Sequence, residues 1–472
     1  MSGPERREAC VPDAGDGVRA GITRRPGTGA DAADAGGGTD VGPGTGIDRG
    51  AGVGATGAAP HRRWLDAALA LDAWMRGRDY AGYDPHDLLS SPLVRRLCLG
   101  SRWLGVAWTQ FGKRSPLQVR PLLGVRPVRN AKGVGLVLGA HLRLARVTGE
   151  AGFYESARGL MAWLGANGAT VAGGIGWGYP FPWANRDAYV PAGTPSAVAT
   201  AFVGHALLDA SAALGSAEAA ALAARAGTFL RRGLNRIPGG DGTFCFSYTP
   251  VDRRAVHNAS LLAASLLARL AAAGGAAAGE LADDAMRAAR FTVRAQRPDG
   301  AWPYGVGARN GWVDSFHTGY ILVALRDIAD ALETTEFDDA LERGIAYWRR
   351  AFFDGPAVGF HPGRPYPVDV HAVAHAILAL LALRDRVPDG ERAAGRLADW
   401  CIDEMRDAAG FFYHLRTRRR VNRLPYMRWV QAWMLRALSE LAATGVPVAS
   451  GGGVPARTTG PAGDPARPAR PA

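Results

Sequence analysis

The chain has 472 residues, 47% of them hydrophobic and 21% charged, with a formal net charge of +12, so a globular body with an ordinary core is expected and a fibrous or fully disordered chain is excluded. The basic surplus admits an anionic partner, but only Arg416 to Arg423 is locally clustered and no nucleic-acid module is visible, so no nucleic-acid partner is expected. The four cysteines, Cys10, Cys98, Cys245 and Cys401, form no CxxC pair, which argues against a disulfide framework or zinc ribbon and for a reducing compartment.

Residues 1–60 are dominated by Gly, Ala, Asp and Thr and cannot bury enough apolar surface to offset chain entropy; they are read as a disordered tail. The opening MSGPERREAC has no apolar stretch behind it, so no secretory signal is visible and a cytoplasmic location is expected. Residues 61–448 are read as one body and 449–472, rich in Gly, Pro, Ala and Arg, as a second disordered tail. No apolar run is read as an integral membrane segment.

Within the body, loops rich in Gly, Pro and aromatics lead repeatedly into apolar, small-residue helices. These start near Asn130, Thr194, His257, Asp314, Asp369 and Met427, at intervals of 55 to 64 residues. More amphipathic segments alternate with them: Tyr154 to Leu164, Ala217 to Leu234, Asp283 to Gln296, Phe337 to Phe352 and Arg392 to Arg406. Helices apolar nearly all round are walled in on both sides, and helices with one wet face lie outside them. The expected fold is therefore all-α, an (α/α)6 toroid, with every loop that enters an inner helix at one end. Thr194 followed by Pro195 reads as an N-cap with proline at the first helical position, and Asp314 and Asp369 read as caps.

The loops then supply the candidate site. Gly173 to Ser196 carries Trp177, Tyr179, Phe181 and Trp183, suited to stacking on sugar rings or to plugging the core, with Arg186 and Asp187 suited to hydroxyls or a carboxylate. The next carries Tyr248, Asp252, His257 and Asn258, a set able to hold an oxyanion and move a proton. The third contains Gln296, Gly300 and Trp302 in the Q-x3-G-x-W pattern of terpene-cyclase toroids, a structural motif there. Trp302, Tyr304, Trp312 and His317 are nonetheless candidate substrate contacts, and Asp314 and His317 share one helix face. The last loops add Asp369, His371, His375, Tyr426, Arg428 and Trp429. HAVAH lacks the glutamate of the HExxH helix, so no metal is expected, and no nucleotide fingerprint follows a strand, so no cofactor is expected.

The segments WGYPFPW, TPSAVATAF, FCFSYTPVDRRAVHNASLL, VDSFHTGY, YPVDVHAVAHAI and LPYMRWVQAWMLRAL together resemble toroid proteins of surface-polysaccharide and archaeal N-glycosylation gene clusters, over roughly residues 95–442. The resemblance implies a glycoside-hydrolase-like or uronic-acid-processing role in glycan assembly, on an oligosaccharide or lipid-linked glycan, and carries no assigned catalytic residue onto this chain. A 5-aminolevulinate dehydratase label found on some relatives does not suit this sequence, because it would require a parallel β/α barrel, against the all-α pattern, as well as a Schiff-base lysine pair, and Lys113 and Lys132 are the only lysines.

Three functions remain open on sequence. A carbohydrate-active enzyme is favoured. In it, Asp314 with Asp369 or Asp252 would cleave a glycosidic bond, or Tyr248 and His257 would remove the C5 proton of a uronate while Asn258 and Arg186 hold its carboxylate. A non-catalytic glycan-binding toroid is the alternative. A terpene cyclase or prenyltransferase ranks last, since the DxDD and DDxxD boxes are absent.

Overall fold

A computed structural model describes residues 55–184 and 189–445. The expected tails therefore lie outside the described residues, apart from 55–60, which begin a helix. The helices are α1 (Ala55–Arg76), α2 (Pro92–Leu97), α3 (Arg102–Arg114), α4 (Ala131–Thr148), α5 (Ala151–Ala166), α6 (Ala197–Leu214) and α7 (Ala217–Gly233). They continue with α8 (His257–Ala272), α9 (Ala278–Val293), α10 (Ser315–Ala331), α11 (Asp338–Phe352), α12 (Val370–Ala382), α13 (Gly390–Glu404) and α14 (Ala432–Ala443).

The even helices α4, α6, α8, α10, α12 and α14 pack side by side in that order, and α14 returns to α4, closing an inner ring. Each of α4 to α12 carries the following odd helix on its outside, and α1 covers α14, so the chain is an (α/α)6 toroid. Inner helices are buried almost throughout, α8 from His257 to Ala268 without a break, as their all-round apolar sequence requires. One of them, α6, is long and apolar enough to cross a membrane by length and composition, and its place in the inner ring accounts for that.

The sixth outer helix, α1, was not among the amphipathic segments identified from the sequence. Its seat is polar as well as apolar: Asp72 accepts from His141 Nε2 of α4 (2.7 Å) and from Arg76 (2.7 Å), with all but the arginine buried. Where the ring closes, the first and last turns meet, His61 Nε2 lying 3.2 Å from Thr444 Oγ1.

A helix leaves its first N–H groups without intrahelical partners. Here the neighbouring repeat supplies them: the N–H of Ala197 donates to the Tyr248 carbonyl, His257 to Tyr304, Ser315 to Phe360, Val370 to His414, and Met427 to Tyr83. The loops entering the inner helices are thus linked end to end around one mouth. Asn130, Asp314 and Asp369 cap their helices through their side chains. At α6 the cap is Ser196, whose Oγ accepts from Ala199 N, and not Thr194, whose hydroxyl donates to the Pro191 carbonyl instead.

Gln296, Gly300 and Trp302 are structural. The Gln296 amide donates to the carbonyls of Gly300 and Ala340, and the Trp302 indole donates to the Thr292 carbonyl. Gly300 has φ +93°, and a Cβ there would meet the Arg343 carbonyl at 2.3 Å, so only glycine lets α9 turn back this close to α11. At the far end of the inner ring Arg269 bridges Asp209 (2.8 Å) and His205 (2.9 Å), and beside them burial pushes the Asp327 carboxyl up to about 7.

Candidate active site

Residues 77–130, between α1 and α4, form an excursion carrying α2 and α3 that packs beside the mouth. Its Asp84 is the hub. One carboxylate oxygen accepts from Arg428 Nε at 2.5 Å; the other lies 3.2 Å from His86 Nδ1 and also accepts the His86 N–H. Arg428 holds the Asp84 carboxyl far below the usual carboxylate range, and burial lowers the His86 imidazole to about 4, so that ring is neutral at neutral pH. Behind them Asp87 pairs with the fully buried Arg120 (2.5 Å), and burial raises the Asp87 carboxyl to about 6.

Across the mouth, Asp314 at the start of α10 accepts from the His317 N–H (2.8 Å) and pairs with His317 Nδ1 (2.7 Å). Asp314 is buried while the His317 side chain keeps 19% of its surface open. With Nδ1–H turned to the carboxylate, a neutral imidazole carries its lone pair on Nε2. Tyr304 stacks on Trp312 at 4.2 Å between ring centroids, and both rings stand edge-on to His317.

Asp369 accepts the Trp429 indole N–H (3.0 Å) and the His371 N–H (3.0 Å), and burial raises its carboxyl to about 6. Trp429 lies between His371 (4.3 Å) and His86 (5.2 Å), joining the two sides of the mouth. Below it His371 Nε2 bonds Tyr320 Oη at 2.8 Å, and Lys132 Nζ reaches that same oxygen at 3.5 Å. The Lys132 ammonium also lies over ring faces, Phe202 at 4.2 Å and Trp433 at 5.0 Å, and burial pulls its pKa well down. Burial also lowers the pKa of Lys113, at the end of α3, against the pull of Asp369, Asp314 and Asp84.

On the third side Tyr179 Oη lies 3.4 Å from Tyr248 Oη, Tyr179 is stacked on Phe181, and Arg428 sits 4.9 Å from the Tyr179 ring centre. Trp183 packs edge-on to Tyr248, with Arg254 over both rings. Burial raises the Tyr248 phenol well above its ordinary value, keeping it protonated.

Not every residue expected at the mouth is there. Trp177 is buried and its indole donates to the Leu164 carbonyl, so it packs against α5. The His257 ring lies against Phe291 and Thr292 of α9, between the rings, and burial lowers it to about 4. Asp252 spends its oxygens on a local turn, accepting from Thr249 N, Thr249 Oγ1 and Arg254 N. Tyr426 points away to Arg120 and the Gly112 carbonyl. Asn258 is buried with its side-chain oxygen unpartnered. Arg186 and Asp187 lie outside the described residues. Sequence reasoning missed His86, Asp84 and Lys113, because the excursion breaks the repeat; the signal available was a His two residues after an Asp in an aromatic loop. Among the described residues no group of three or more His, Cys, Asp or Glu side chains converges to hold a metal.

Neither a family model nor a curated protein sequence matches the chain. Solved structures do match its fold. A sugar epimerase from a ruminal bacterium aligns with TM-score 0.53 and 15% identity over 69% of this chain and 91% of its own. A D-mannose isomerase aligns with TM-score 0.52 and 12% identity over 67% and 88%. An unsaturated glucuronyl hydrolase specific for heparin aligns with TM-score 0.52 and 13% identity over 82% and 97%. These identities establish the shared toroid alone.

Proposed function

We propose that the protein is a carbohydrate-active enzyme that moves a proton at a carbon beside a carbonyl or carboxylate of an anionic sugar, giving epimerisation or isomerisation, or β-elimination where a leaving group stands next to that carbon. The observation that carries this reading is the pair of carboxylate-backed histidines, His317 on Asp314 and His86 on Asp84, at one mouth. A neutral imidazole whose Nδ1–H is held by a carboxylate is oriented to accept a proton on Nε2. Removal of the proton by one histidine leaves an enediolate whose charge Arg428 and Lys113 would stabilise. Return of a proton to the opposite face inverts the centre; His86, neutral at neutral pH, would take the first proton, and His317, entering the cycle as an imidazolium on the Asp314 carboxylate, would give the second. Tyr248, kept protonated, would donate to a sugar oxygen, and the Tyr304–Trp312 pair would stack on the ring.

Glycosidic hydrolysis fits these residues less well. It needs two carboxyl groups with oxygens turned to the scissile bond. The Asp314 oxygens are both engaged by His317, those of Asp369 by Trp429 and His371, and Asp252 closes its own turn. The sugar epimerase and D-mannose isomerase among the structural neighbours support the proton-transfer reading by analogy of fold. The substrate is proposed to be a uronate-containing or otherwise anionic glycan, free or lipid-linked.

The test is incubation of the full chain with uronate-containing and neutral sugars in water carrying deuterium and oxygen-18, followed by mass spectrometry. Carbon-bound deuterium without cleavage supports epimerisation or isomerisation, and cleavage without oxygen-18 supports elimination. Oxygen-18 incorporated on cleavage, with no carbon-bound deuterium, would overturn the proposal in favour of hydrolysis. Sugar binding without any exchange would leave a glycan-binding toroid.

A further inference from the structure

The excursion departs from the rule that a helix of a water-soluble protein turns its large apolar side chains inward. The buried face of α3 is made of Gly105, Thr109 and Gly112, while Trp103, Leu104 and Phe111 stand outward, Trp103 with 58% of its surface open. On α2, Val94 is buried and Leu93 and Leu97 are exposed. The turns on either side add Leu99 (84% exposed) and Leu122 (86%). Among the described residues the large apolar side chains left open to solvent gather in residues 93–128; the others, Tyr189, Val251, Val306 and Trp312, lie outside it. The small core that Leu89, Val94 and Cys98 of the excursion make with Ala184 of the loop before α6 is too thin to take them in.

The same stretch is one-signed. From Leu88 to Gly149 the sequence contains no Asp or Glu. Arg95, Arg96, Arg102 and Arg114 lie exposed among the outward leucines and aromatics, and Arg95, Arg96 and Arg114 have no carboxylate partner among the described residues. Exposed Trp, Phe and Leu interleaved with arginine on short helices is the surface that settles into the headgroup region of an anionic bilayer. A second copy of this chain is a poor occupant, because a self-complementary contact would set basic side chains against basic side chains. Phe111, Arg114 and Leu117 also border an open depression beside the end of α3, where an acyl chain or headgroup could rest.

We propose that α2, α3 and their flanking turns form a docking surface for an anionic lipid membrane, on which the toroid rests without spanning it. The surface adjoins the mouth: Gly105 of α3 faces Ala184, next to Trp183, and Lys113 on the same helix feels Asp84, Asp314 and Asp369. Docking would thus bring the site to the lipid surface, where a membrane-attached substrate would be met. This inference stands on the excursion alone and does not depend on the reaction assigned to the mouth.

The experiment is flotation of the full chain with vesicles of phosphatidylcholine alone or with added phosphatidylglycerol, at low and high salt. The expected result is partition onto the anionic vesicles only, weakened by salt, with a blue shift of tryptophan emission. Replacing Arg95 and Arg96 together by Gln should lower the partition coefficient about 30-fold, and Trp103→Ala with Phe111→Ala at least about tenfold. All four residues are exposed, so the unfolding midpoint should not move; a circular dichroism melt checks this. Absence of vesicle binding would overturn the proposal, as would binding that neither double variant weakens. So would a concentration-dependent dimer that both double variants disperse.

Discussion

The Asp314 carboxylate grips His317 twice, through the backbone N–H at 2.8 Å and through ring Nδ1 at 2.7 Å, so one side chain caps α10 and orients the imidazole above it. Asp314→Asn should keep the cap, since the amide oxygen still accepts, but lose control of the tautomer. Turnover should fall by about 10²–10⁴-fold with the unfolding midpoint nearly unchanged. His317→Gln should fall at least as far. Deuterium wash-in read alongside thermal melts tests both, and equal activity in either variant would remove His317 from the reaction.

The Asp84–Arg428 pair is buried, and Arg428 also carries the proposed charge-stabilising role. Removing one member leaves the other charged and unpaired, at a cost of about 3–5 kcal/mol. The double change Asp84→Asn with Arg428→Met should cost less than the sum of the single changes. Denaturant unfolding of the four proteins in a double-mutant cycle gives the coupling, and strict additivity would mean the pair does not interact.

Aromatic substitutions should separate by position. Trp312, 45% exposed, should on change to Ala raise KM with little loss of stability. Trp177→Ala and Trp302→Ala, both in the core, should cost about 3–5 kcal/mol of stability and alter KM only if the fold is lost. Melting curves and substrate titrations of the three variants give the comparison.

Much of this was legible in the sequence. The six inner helices follow from repeated apolar runs, and five of the outer ones from amphipathic spacing. The sixth, α1, adjoins a low-complexity stretch that hides its start. The site was less legible, because a sequence shows which residues enter a loop but not which way they turn. His257 opens α8 yet faces α9, whereas His317, in the third position of α10, faces the mouth; about 100° of rotation per residue decides. Trp177 and Tyr179 are two residues apart, and one fills the core while the other joins the mouth.

Asp327 gives a pH test away from the chemistry. Its folded pKa of about 7 lies above the unfolded 3.8, so the folded chain binds the proton more tightly and stability falls as pH rises through that window. Asp327→Asn removes the titration. The variant should be more stable than the parent at pH 8, by roughly 1–2 kcal/mol after allowance for solvent screening, and should lose that advantage below pH ~4. Chemical denaturation at both pH values is the measurement, and a pH-independent difference would mean Asp327 titrates normally.

The contact of His61 with Thr444 has a topological consequence. Because the first and last helices of the ring are neighbours, the point at which the chain enters the cyclic order of repeats is arbitrary as far as packing is concerned. A chain joined across that seam and reopened after α6, at Gly215 in its left-handed conformation, should fold to the same toroid. All six repeats and their rim of loop-to-helix hydrogen bonds would be kept, and only the starting point of synthesis would change.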